Sequence, residues 1–515
     1  MTTVTDLDLP VFDNMAADLT GEVYHQRLAD VRRQGWLARS PLSLVVLDRE
    51  SGEFFLRSKA TVFPGREIAD IFGVTSGRLR EQIESNILNL TGARHRRLRA
   101  LVGPSFSPRA ADRWRPVMRG FLAGLWQRIG SATTCEFVAA VAKPYPSLTI
   151  SAVLGAPRED AERLHEWSSW VQRQFDIRAL ANDLDRIERA TAEVYDYAEE
   201  LLKRRSAEPA DDLISGLLAA EAQGDRLSHD ECVNLVVNVL AGGIDTTQSQ
   251  LAHALRLFAE HQDQWALLAG RPELVPQAVS EVLRFEPITP FTARLCVEQV
   301  EYRGIVFPVG TIVAICAERA NRELSATAPA DGERADAERA GHGQAGAGQA
   351  GAGQADAGQA GGGQAGGGQA DPDGAGHGQA GAGRADPDGA GHGQAGAGRA
   401  GPDGAGHGQA GPDGAGHGQA GGGRADAGRA NAEGADAERF DITVSREDRL
   451  LTFGAGPHYC LGANLARAEL EEALTFLAPR MPGLALDGVP ELGGVEGIYG
   501  INALPLRWNR GAAGR

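Results

Sequence analysis

A repeat of five residues limits what this chain can fold into. From Ala330 to Arg439 the sequence divides into 22 consecutive units that each begin with alanine, and no aromatic residue, valine, isoleucine or methionine occurs among them. Such a segment has almost no apolar surface with which to offset the backbone entropy that ordering costs. A period of five also matches neither a helix nor a strand. We therefore predict a disordered low-complexity insertion over residues 323–439.

The insertion accounts for the unusual composition of the chain. It holds 37 of the 67 glycines and 9 of the 17 excess negative charges, which leaves 398 of the 515 residues with an ordinary composition. Residues 1–322 and 440–515 are then predicted to form one globular domain in two parts. Five histidines of the insertion recur in the unit AGHGQ, namely His342, His377, His392, His407 and His417. Weak metal binding or phase behaviour is one interpretation of them, and the alternative is that a repeated unit merely repeats its histidine.

The cysteines and the N-terminal residues indicate in which cellular compartment the protein is expected. Five scattered cysteines are too few for a disulfide framework. No apolar run approaches the roughly 20 residues of a membrane-spanning helix. The first residues are acidic and lack the pattern of a signal peptide. We expect a soluble cytoplasmic protein without membrane contact.

Outside the insertion the sequence pattern is mostly helical. Helical periodicity covers three segments, 160–205, His229–Glu260 and 274–285. Ser228 and Glu231 form a capping box that predicts where the second of them begins. Short β-like runs follow between Phe291 and Ala317, and another helical stretch starts at Cys460. These patterns predict a mainly α domain with small β-sheets.

The segment 452–470, TFGAGPHYCLGANLARAEL, carries the strongest chemical signal. Its one cysteine, Cys460, stands among glycines at the start of a helix, where backbone N–H groups can point at the sulfur. A helix N-terminus also favours a thiolate over a thiol. A lone thiolate in such a loop is either a nucleophile or a metal ligand, and no second cysteine or histidine lies at zinc spacing.

The stretch FGAGPHYCLG resembles the cysteine-ligand loop of the cytochrome P450 haem-thiolate proteins, whose pattern is F-G-x-G-x-H-x-C-x-G. All six specified positions match: Phe453, Gly454, Gly456, His458, Cys460 and Gly462. The resemblance implies the P450 fold, a triangular helical prism with haem between a long central helix and the helix after the cysteine loop. It makes Cys460 the axial ligand of the haem iron, His458 a contact of a haem propionate and Phe453 a neighbour of the sulfur.

A second matching segment is AGGIDTT, residues 241–247, inside the predicted central helix. Gly242 and Gly243 each cost about 1 kcal/mol relative to alanine in a helix interior, and close approach of a flat cofactor is a reason for them. Thr246 can bond back to the carbonyl of Gly242 and open a groove there. Asp245 and Thr246 pair a carboxylate with a hydroxyl, and the resemblance implies that they relay protons during dioxygen activation. The alternative is a cap or core threonine.

Two further segments support the resemblance. Glu281 and Arg284 share one helix face. By themselves they indicate an exposed salt bridge, whereas the resemblance implies a structural triad with Arg439 beneath the haem. The segment 93–119 places eight arginines and one acid in an otherwise acidic protein, which favours a docking patch for an acidic partner. Nucleic acid is disfavoured because aromatic interleaving is missing.

The resemblance assigns roles within and beyond this arginine-rich segment. His95, Arg99 and Arg294 match propionate contacts. A ferredoxin, itself reduced by a ferredoxin reductase, is expected to dock near Arg96, Arg97, Arg109 and Arg113. A merely solvated run of charges remains the alternative for Arg96 and Arg97. The substrate pocket is predicted to include Ile87, Val239, Ile244, Ile288, Thr289 and Phe291, together with residues from 165–180.

The prediction is therefore a cytochrome P450 monooxygenase that acts as a monomer. It would hold heme b, use dioxygen and two external electrons, and oxidise a hydrophobic small molecule of natural-product metabolism. One alternative is an oxidative coupling enzyme on the same scaffold. Another is a catalytically silent haem-binding protein with the repeat as a tether, which the presence of Asp245 and Thr246 disfavours.

Overall fold

The computed structural model describes residues 2–222, 227–323, 437–446 and 450–510. All of them belong to one compact unit. The predicted disordered insertion lies outside the described residues except for Glu323 and 437–439, so its disorder stays a prediction. No helix in the described ranges combines the length and the apolarity that crossing a bilayer demands.

Helices make up most of the described chain. The first half contains α1 (Gly21–Arg32), α2 (Arg49–Arg57), α3 (Gly65–Ile71), α4 (Gly77–Ser85), α5 (Gly92–Val102), α6 (Pro108–Asp112), α7 (Arg115–Ile129), α8 (Pro144–Leu154) and α9 (Ala161–Gln172). The rest contains α10 (Ile177–Asn182), α11 (Leu184–Ala207), α12 (Leu213–Ala222), α13 (His229–Gly243), α14 (Asp245–Glu260), α15 (Gln262–Gly270), α16 (Val275–Phe285), α17 (Ala317–Arg322) and α18 (Ala463–Leu477). The helical periodicity predicted over 160–205 thus corresponds to three helices, α9, α10 and α11.

The strands are short and form small sheets at the edge of the helical body. They are β1 (Thr2–Thr3), β2 (Leu37–Arg39), β3 (Leu44–Val46), β4 (Thr61–Val62), β5 (Thr134–Glu136), β6 (Phe291–Cys296), β7 (Val300–Tyr302), β8 (Ile305–Phe307), β9 (Ile312–Cys316), β10 (Ala485–Leu486), β11 (Glu491–Leu492), β12 (Ile501–Ala503) and β13 (Pro505–Arg507). The largest sheet has the order β2-β3-β9-β6-β4, with β3 parallel to β9 and the other pairs antiparallel. The predicted fold class, mainly α with small sheets, is confirmed.

The predicted central helix begins where expected and is then interrupted. Ser228 and Glu231 form the capping box, with each side chain bonded to the other's backbone N–H. Regular helix stops at Gly243 and resumes at Asp245, with Ile244 between at φ −94° and ψ −69°. The Thr246 hydroxyl donates to the carbonyl of Gly242 over 2.7 Å, as the sequence predicts. Because this hydroxyl takes up a helix carbonyl, the helix opens locally at this turn.

A buried ion pair on α16 holds the chain that returns from the insertion. Arg284 donates two hydrogen bonds to the Glu281 carboxylate at 2.7 and 2.8 Å, and both side chains are buried. Arg284 also donates to the carbonyls of Ala437 and Arg439, and Glu281 accepts from the backbone N–H of Asp441. The main chain of the last residues of the predicted insertion and of Asp441 is therefore held by side chains of α16.

The third member of this cluster differs from the prediction. Arg439 contributes its carbonyl, but its side chain is exposed. The arginine whose side chain approaches Glu281 is Arg446, with 3.8 Å between Nε and Oε2 and a side chain only 6% exposed. Arg439 aligned with the family pattern in sequence, but the backbone turn at 437–441 directs its side chain outward.

Asn321, at the end of α17, links the other side of the insertion to the cysteine loop. Its amide donates to the hydroxyl of Thr452 and accepts from the N–H of Leu451. Thr452 in turn donates to the carbonyl of Leu283 on α16. Asn321 is fully buried, so these bonds replace those it would make to water. The loop that carries Cys460 is thus fixed to the same helix as the returning chain.

We predict that Arg446→Ala lowers the free energy of unfolding of the protein by about 1–3 kcal/mol, because a buried charged group leaves its partner. Arg439→Ala is the matched control, and we expect a change within about 0.5 kcal/mol because its side chain is exposed. Urea unfolding followed by circular dichroism measures both. Equal losses in the two variants would contradict the assignment of Arg446.

Candidate active site

A cavity of about 520 Å³ lies between the interrupted α13–α14 wall, the cysteine loop and β6. The residues predicted for the site that line it are Ile87, Arg99, Val239, Gly242, Gly243, Thr246, Ile288, Thr289, Phe291, Arg294, Phe453, Gly454, His458, Cys460 and Gly462. Four others, His95, Ile244, Asp245 and Gly456, do not line it. Ile244 in particular is fully buried in the helical core, so the structure removes it from the predicted pocket.

The cysteine loop presents Cys460 to this cavity. Its backbone N–H donates to the carbonyl of Phe453 over 2.9 Å, and the side chain is exposed on the cavity side. Gly456 has φ +70°, and a Cβ there would lie 3.0 Å from the carbonyl oxygen of Leu56 in α2. Only glycine fits this turn, because both its conformation and the neighbouring backbone exclude a side chain.

The electrostatics of the sulfur differ from the expectation of a free thiolate. Burial raises the pKa of the Cys460 thiol above its ordinary value, while the backbone N–H groups of Gly462 and Ala463 and the Arg99 guanidinium lower that pKa in part. The N–H groups do point at the sulfur, as the sequence predicts, but desolvation outweighs them. A raised pKa disfavours a free nucleophile. Metal coordination deprotonates a thiol outright, so a raised pKa of the free thiol is compatible with a ligand role for Cys460.

A group of cationic and imidazole side chains surrounds one side of the cavity. His95 stacks on His458 with 4.3 Å between ring centroids, and Arg99 and Arg294 line the cavity beside them. Arg294 is only 4% exposed, and burial alone lowers its pKa to about 10. Burial, His95 and both arginines lower the pKa of His458 to about 3. Within the described ranges, no carboxylate lies at ion-pair distance from Arg99 or Arg294.

These groups test whether the residues present fit a haem. A buried arginine without a counter-charge is costly, and His95 has a buried Nε2 with no hydrogen-bond partner in the described part of the chain. Carboxylates of a bound group would satisfy both. The cavity therefore combines one sulfur ligand for iron with neighbouring sites for carboxylate groups. This donor set fits haem.

The two glycines of the central helix serve different purposes. Gly242 has open space where a Cβ would lie, so its bare backbone faces the cavity. At Gly243 a Cβ would meet Ile150 of α8 at 2.5 Å. Close packing of α8 therefore explains Gly243, in addition to the approach of a cofactor that the sequence suggested.

Asp245 and Thr246 lie on different sides of the first turn of α14. Thr246 faces the cavity, whereas the Asp245 carboxylate is buried and faces α9. There its Oδ1 lies 3.7 Å from Nδ1 of His165. Burial raises the pKa of Asp245 to about 7, although Arg173, Ser169 and Lys143 act in the opposite direction. The Thr246 hydroxyl therefore lies on the cavity side of the α13–α14 wall, and the Asp245 carboxyl, which can exchange a proton, lies on the opposite side.

Sequence reasoning missed other residues of the site. Glu469 on α18 lines the cavity, is 1% exposed and faces the hydroxyl of Thr247 at 3.5 Å. Its position nine residues after Cys460 is the only signal it carries in the sequence. The rest of the cavity lining is mainly apolar. Phe175 and Ile177 come from the predicted region 165–180, whereas no sequence signal pointed to Met15, Phe63, Ile68, Ile71, Phe72 and Ile498. These residues come from distant segments that only the fold brings together.

The buried carboxyl of Asp245 predicts a pH effect on stability. In the unfolded chain this group loses its proton near pH 3.8 and in the folded protein near pH 7, so unfolding between these values releases a proton. The free energy of unfolding should fall with rising pH by at most about 1.4 kcal/mol per pH unit from this group. Asp245→Asn should remove that component, and the exposed Asp8→Asn should not. Urea unfolding from pH 4 to 7 measures it, and identical slopes for Asp245→Asn and the unmodified protein would contradict the prediction.

Comparisons with known proteins agree with this geometry. The family model described as Cytochrome P450 matches residues 70–269. Luteothin monooxygenase of Streptomyces thioluteus is 29% identical over 505 residues, which cover 97% of this chain and 96% of the relative. Mycinamicin IV hydroxylase/epoxidase of Micromonospora griseorubida is 32% identical over 49% of this chain and 63% of its own length.

A solved structure extends the likeness to the fold. The crystal structure of epothilone D-bound cytochrome P450epoK aligns with a TM-score of 0.69 and 20% identity, covering 97% of this chain and 99% of that one. This structure confirms the predicted fold, and the family model together with luteothin monooxygenase confirms the family that the sequence motifs indicated. The chain is a member of the cytochrome P450 superfamily, a family of haem-thiolate monooxygenases.

Proposed function

We propose that the protein is a monooxygenase that holds heme b and oxidises a hydrophobic small molecule of natural-product metabolism. One observation carries the proposal: the sulfur of Cys460, the hydroxyl of Thr246 and a mainly apolar space all border one cavity. When bound there through Cys460, haem supplies the activation of dioxygen with two electrons from outside.

The residues around the cavity would bind the haem, transfer protons and bind the substrate. Arg99, Arg294 and His458, which line the cavity, would hold the haem propionates together with His95. No carboxylate among the described residues pairs with either arginine, and Nε2 of His95 has no hydrogen-bond partner there. Thr246, whose hydroxyl stays in the cavity, would pass protons inward, and Asp245 would supply them from behind the wall. The apolar outer lining would exclude water and bind the substrate.

The arginine-rich surface supports a ferredoxin as the electron donor, reduced in turn by a ferredoxin reductase. Arg96 and Arg109 are exposed. Arg97 and Arg113 pair with Glu231 and Asp211 but remain 38% and 40% exposed, so they still contribute positive charge to the surface. Charge complementarity with an acidic protein mainly speeds association. We place the docking site at these four arginines.

The substrate class rests on the relatives and the cavity together. The relative from Micromonospora griseorubida is named for acting on mycinamicin IV. The mainly apolar lining of this cavity fits a hydrophobic molecule. We propose no individual compound.

The retention of haem tests the propionate assignment. Removing a charged hydrogen-bond donor costs about 1.5–3 kcal/mol, so Arg294→Met should weaken haem binding roughly 10- to 150-fold. Transfer of haem from the purified protein to excess apomyoglobin measures the loss. The exposed Arg189→Met is the control and should transfer haem at the rate of the unmodified protein. Equal rates for Arg294→Met and this control would contradict the assignment.

A turnover assay tests the reaction itself. Holoprotein is supplied with a ferredoxin, its reductase, mycinamicin IV and a panel of hydrophobic small molecules. It should consume electrons in response to at least one compound and add one oxygen atom to that compound. Thr246→Ala should raise the share of electrons that end in hydrogen peroxide several-fold, because proton delivery is impaired.

Other outcomes of this assay identify the alternatives. A product that is coupled but contains no added oxygen would indicate an oxidative coupling enzyme. No product and no compound-dependent electron consumption across the panel would favour a silent haem-binding protein. Unchanged peroxide formation in Thr246→Ala would remove that residue from proton delivery.

A further inference from the structure

His165 is a buried imidazole that faces the acid of the proposed proton relay. It lies on α9, which packs against α13 and α14, and its side chain is 9% exposed. Its Nδ1 points to Oδ1 of Asp245 across 3.7 Å, slightly longer than a hydrogen bond. This nitrogen is buried and has no hydrogen-bond partner among the residues described here. The carboxylate of Asp245 is therefore the group with which Nδ1 of His165 can exchange a proton.

The other groups that act on the pair are few. Asp245 is influenced by Ser169 and Arg173 from α9 and the turn after it, and by Lys143 at the start of α8. Burial and then Lys143 lower the pKa of His165 to about 4, so the imidazole is neutral at pH 7. A neutral imidazole has one donor nitrogen and one acceptor nitrogen. It can accept a proton at one and release a proton at the other.

We propose that His165 is a positioning residue that delivers protons to Asp245 from the α9 side of the protein. When Nε2 of His165 takes up a proton, Nδ1 gives its own proton to Oδ1 of the Asp245 carboxylate. Only N–H and O–H bonds change, and the products are a neutral carboxyl and the other neutral tautomer of the imidazole. The step from Asp245 to Thr246 rests on the proposed function, whereas the step from His165 to Asp245 does not.

Two variants of the purified holoprotein separate hydrogen bonding from proton transfer. His165→Phe removes both, and His165→Gln keeps an amide that can hydrogen-bond but cannot carry a proton through. The exposed His229→Gln is the matched control. The first readout is the infrared band of the Asp245 carboxyl as a function of pH, assigned by its loss in Asp245→Asn. The second is the reaction of dithionite-reduced holoprotein with dioxygen, followed by stopped-flow absorbance in H₂O and D₂O.

We expect His165→Phe to lower the acid dissociation constant of Asp245 about tenfold, because an apolar ring deepens its desolvation. His165→Gln should leave that constant near its normal value but slow the reaction with dioxygen several-fold and increase its solvent isotope effect. His229→Gln should match the unmodified protein in both readouts.

Two results would overturn the proposal. One is an Asp245 titration and a dioxygen reaction that are unchanged in a His165→Phe variant of normal haem content. The other is a normal rate and isotope effect in His165→Gln, which would reduce His165 to a polar spacer even if the phenylalanine variant fails to fold. The infrared titration needs no substrate, so a failed turnover assay and a failed role of His165 are distinguishable.

Discussion

The buried pair of Glu281 and Arg284 is the interaction on which the rest of the structure depends. Each charge is almost inaccessible to water, so each needs the other and the backbone groups around it. Those backbone groups belong to residues 437, 439 and 441, where the described chain resumes at the end of the predicted insertion. The same helix also holds Thr452 at the start of the cysteine loop. Helix α16, through its Glu281–Arg284 pair and its Leu283 carbonyl, therefore positions both the segment 437–441 and the cysteine loop.

The described contacts hold the chain on both sides of the segment between 323 and 437. The closure entropy of a loop grows only slowly with its length, so a long insertion costs little if its ends are held. Glu323 bonds to Arg32 and to the N–H of Arg49, and Glu438 bonds to Arg319 and Arg322. Both ends of the segment are thus tied to the body of the protein. The start of the cysteine loop is held separately, by Asn321 and by the Leu283 carbonyl of α16.

The sequence predicted the parts of the site that are encoded locally. The cysteine loop, the capping box at Ser228 and the bond from Thr246 to Gly242 each depend on residues within a few positions of one another, and the structure has all three. Helix bounds were less accurate, because helices break where individual side chains bond to the backbone. Thr246 bonds to Gly242 beside the break at Ile244, and the Asp176 side chain caps the start of α10. Periodicity alone does not contain that information.

The remaining differences arise from contacts between distant segments. Arg446 rather than Arg439 approaches Glu281, because the backbone after the insertion turns between them. Ile244 packs into the core, and Gly243 is required by Ile150 of α8. The raised pKa of Cys460 reflects desolvation by the whole fold, which outweighs the N–H groups that the local motif supplies. His165 and Glu469 have no motif at all and become visible only when the helices are assembled.

The central claim is that Cys460 binds haem iron as a thiolate within this cavity. The absorbance difference spectrum of the reduced holoprotein with and without carbon monoxide tests it most directly. We predict the long-wavelength Soret band that a thiolate ligand opposite carbon monoxide produces. A Soret band at the shorter wavelength of histidine-ligated haem, in freshly prepared protein of full haem content, would contradict the claim.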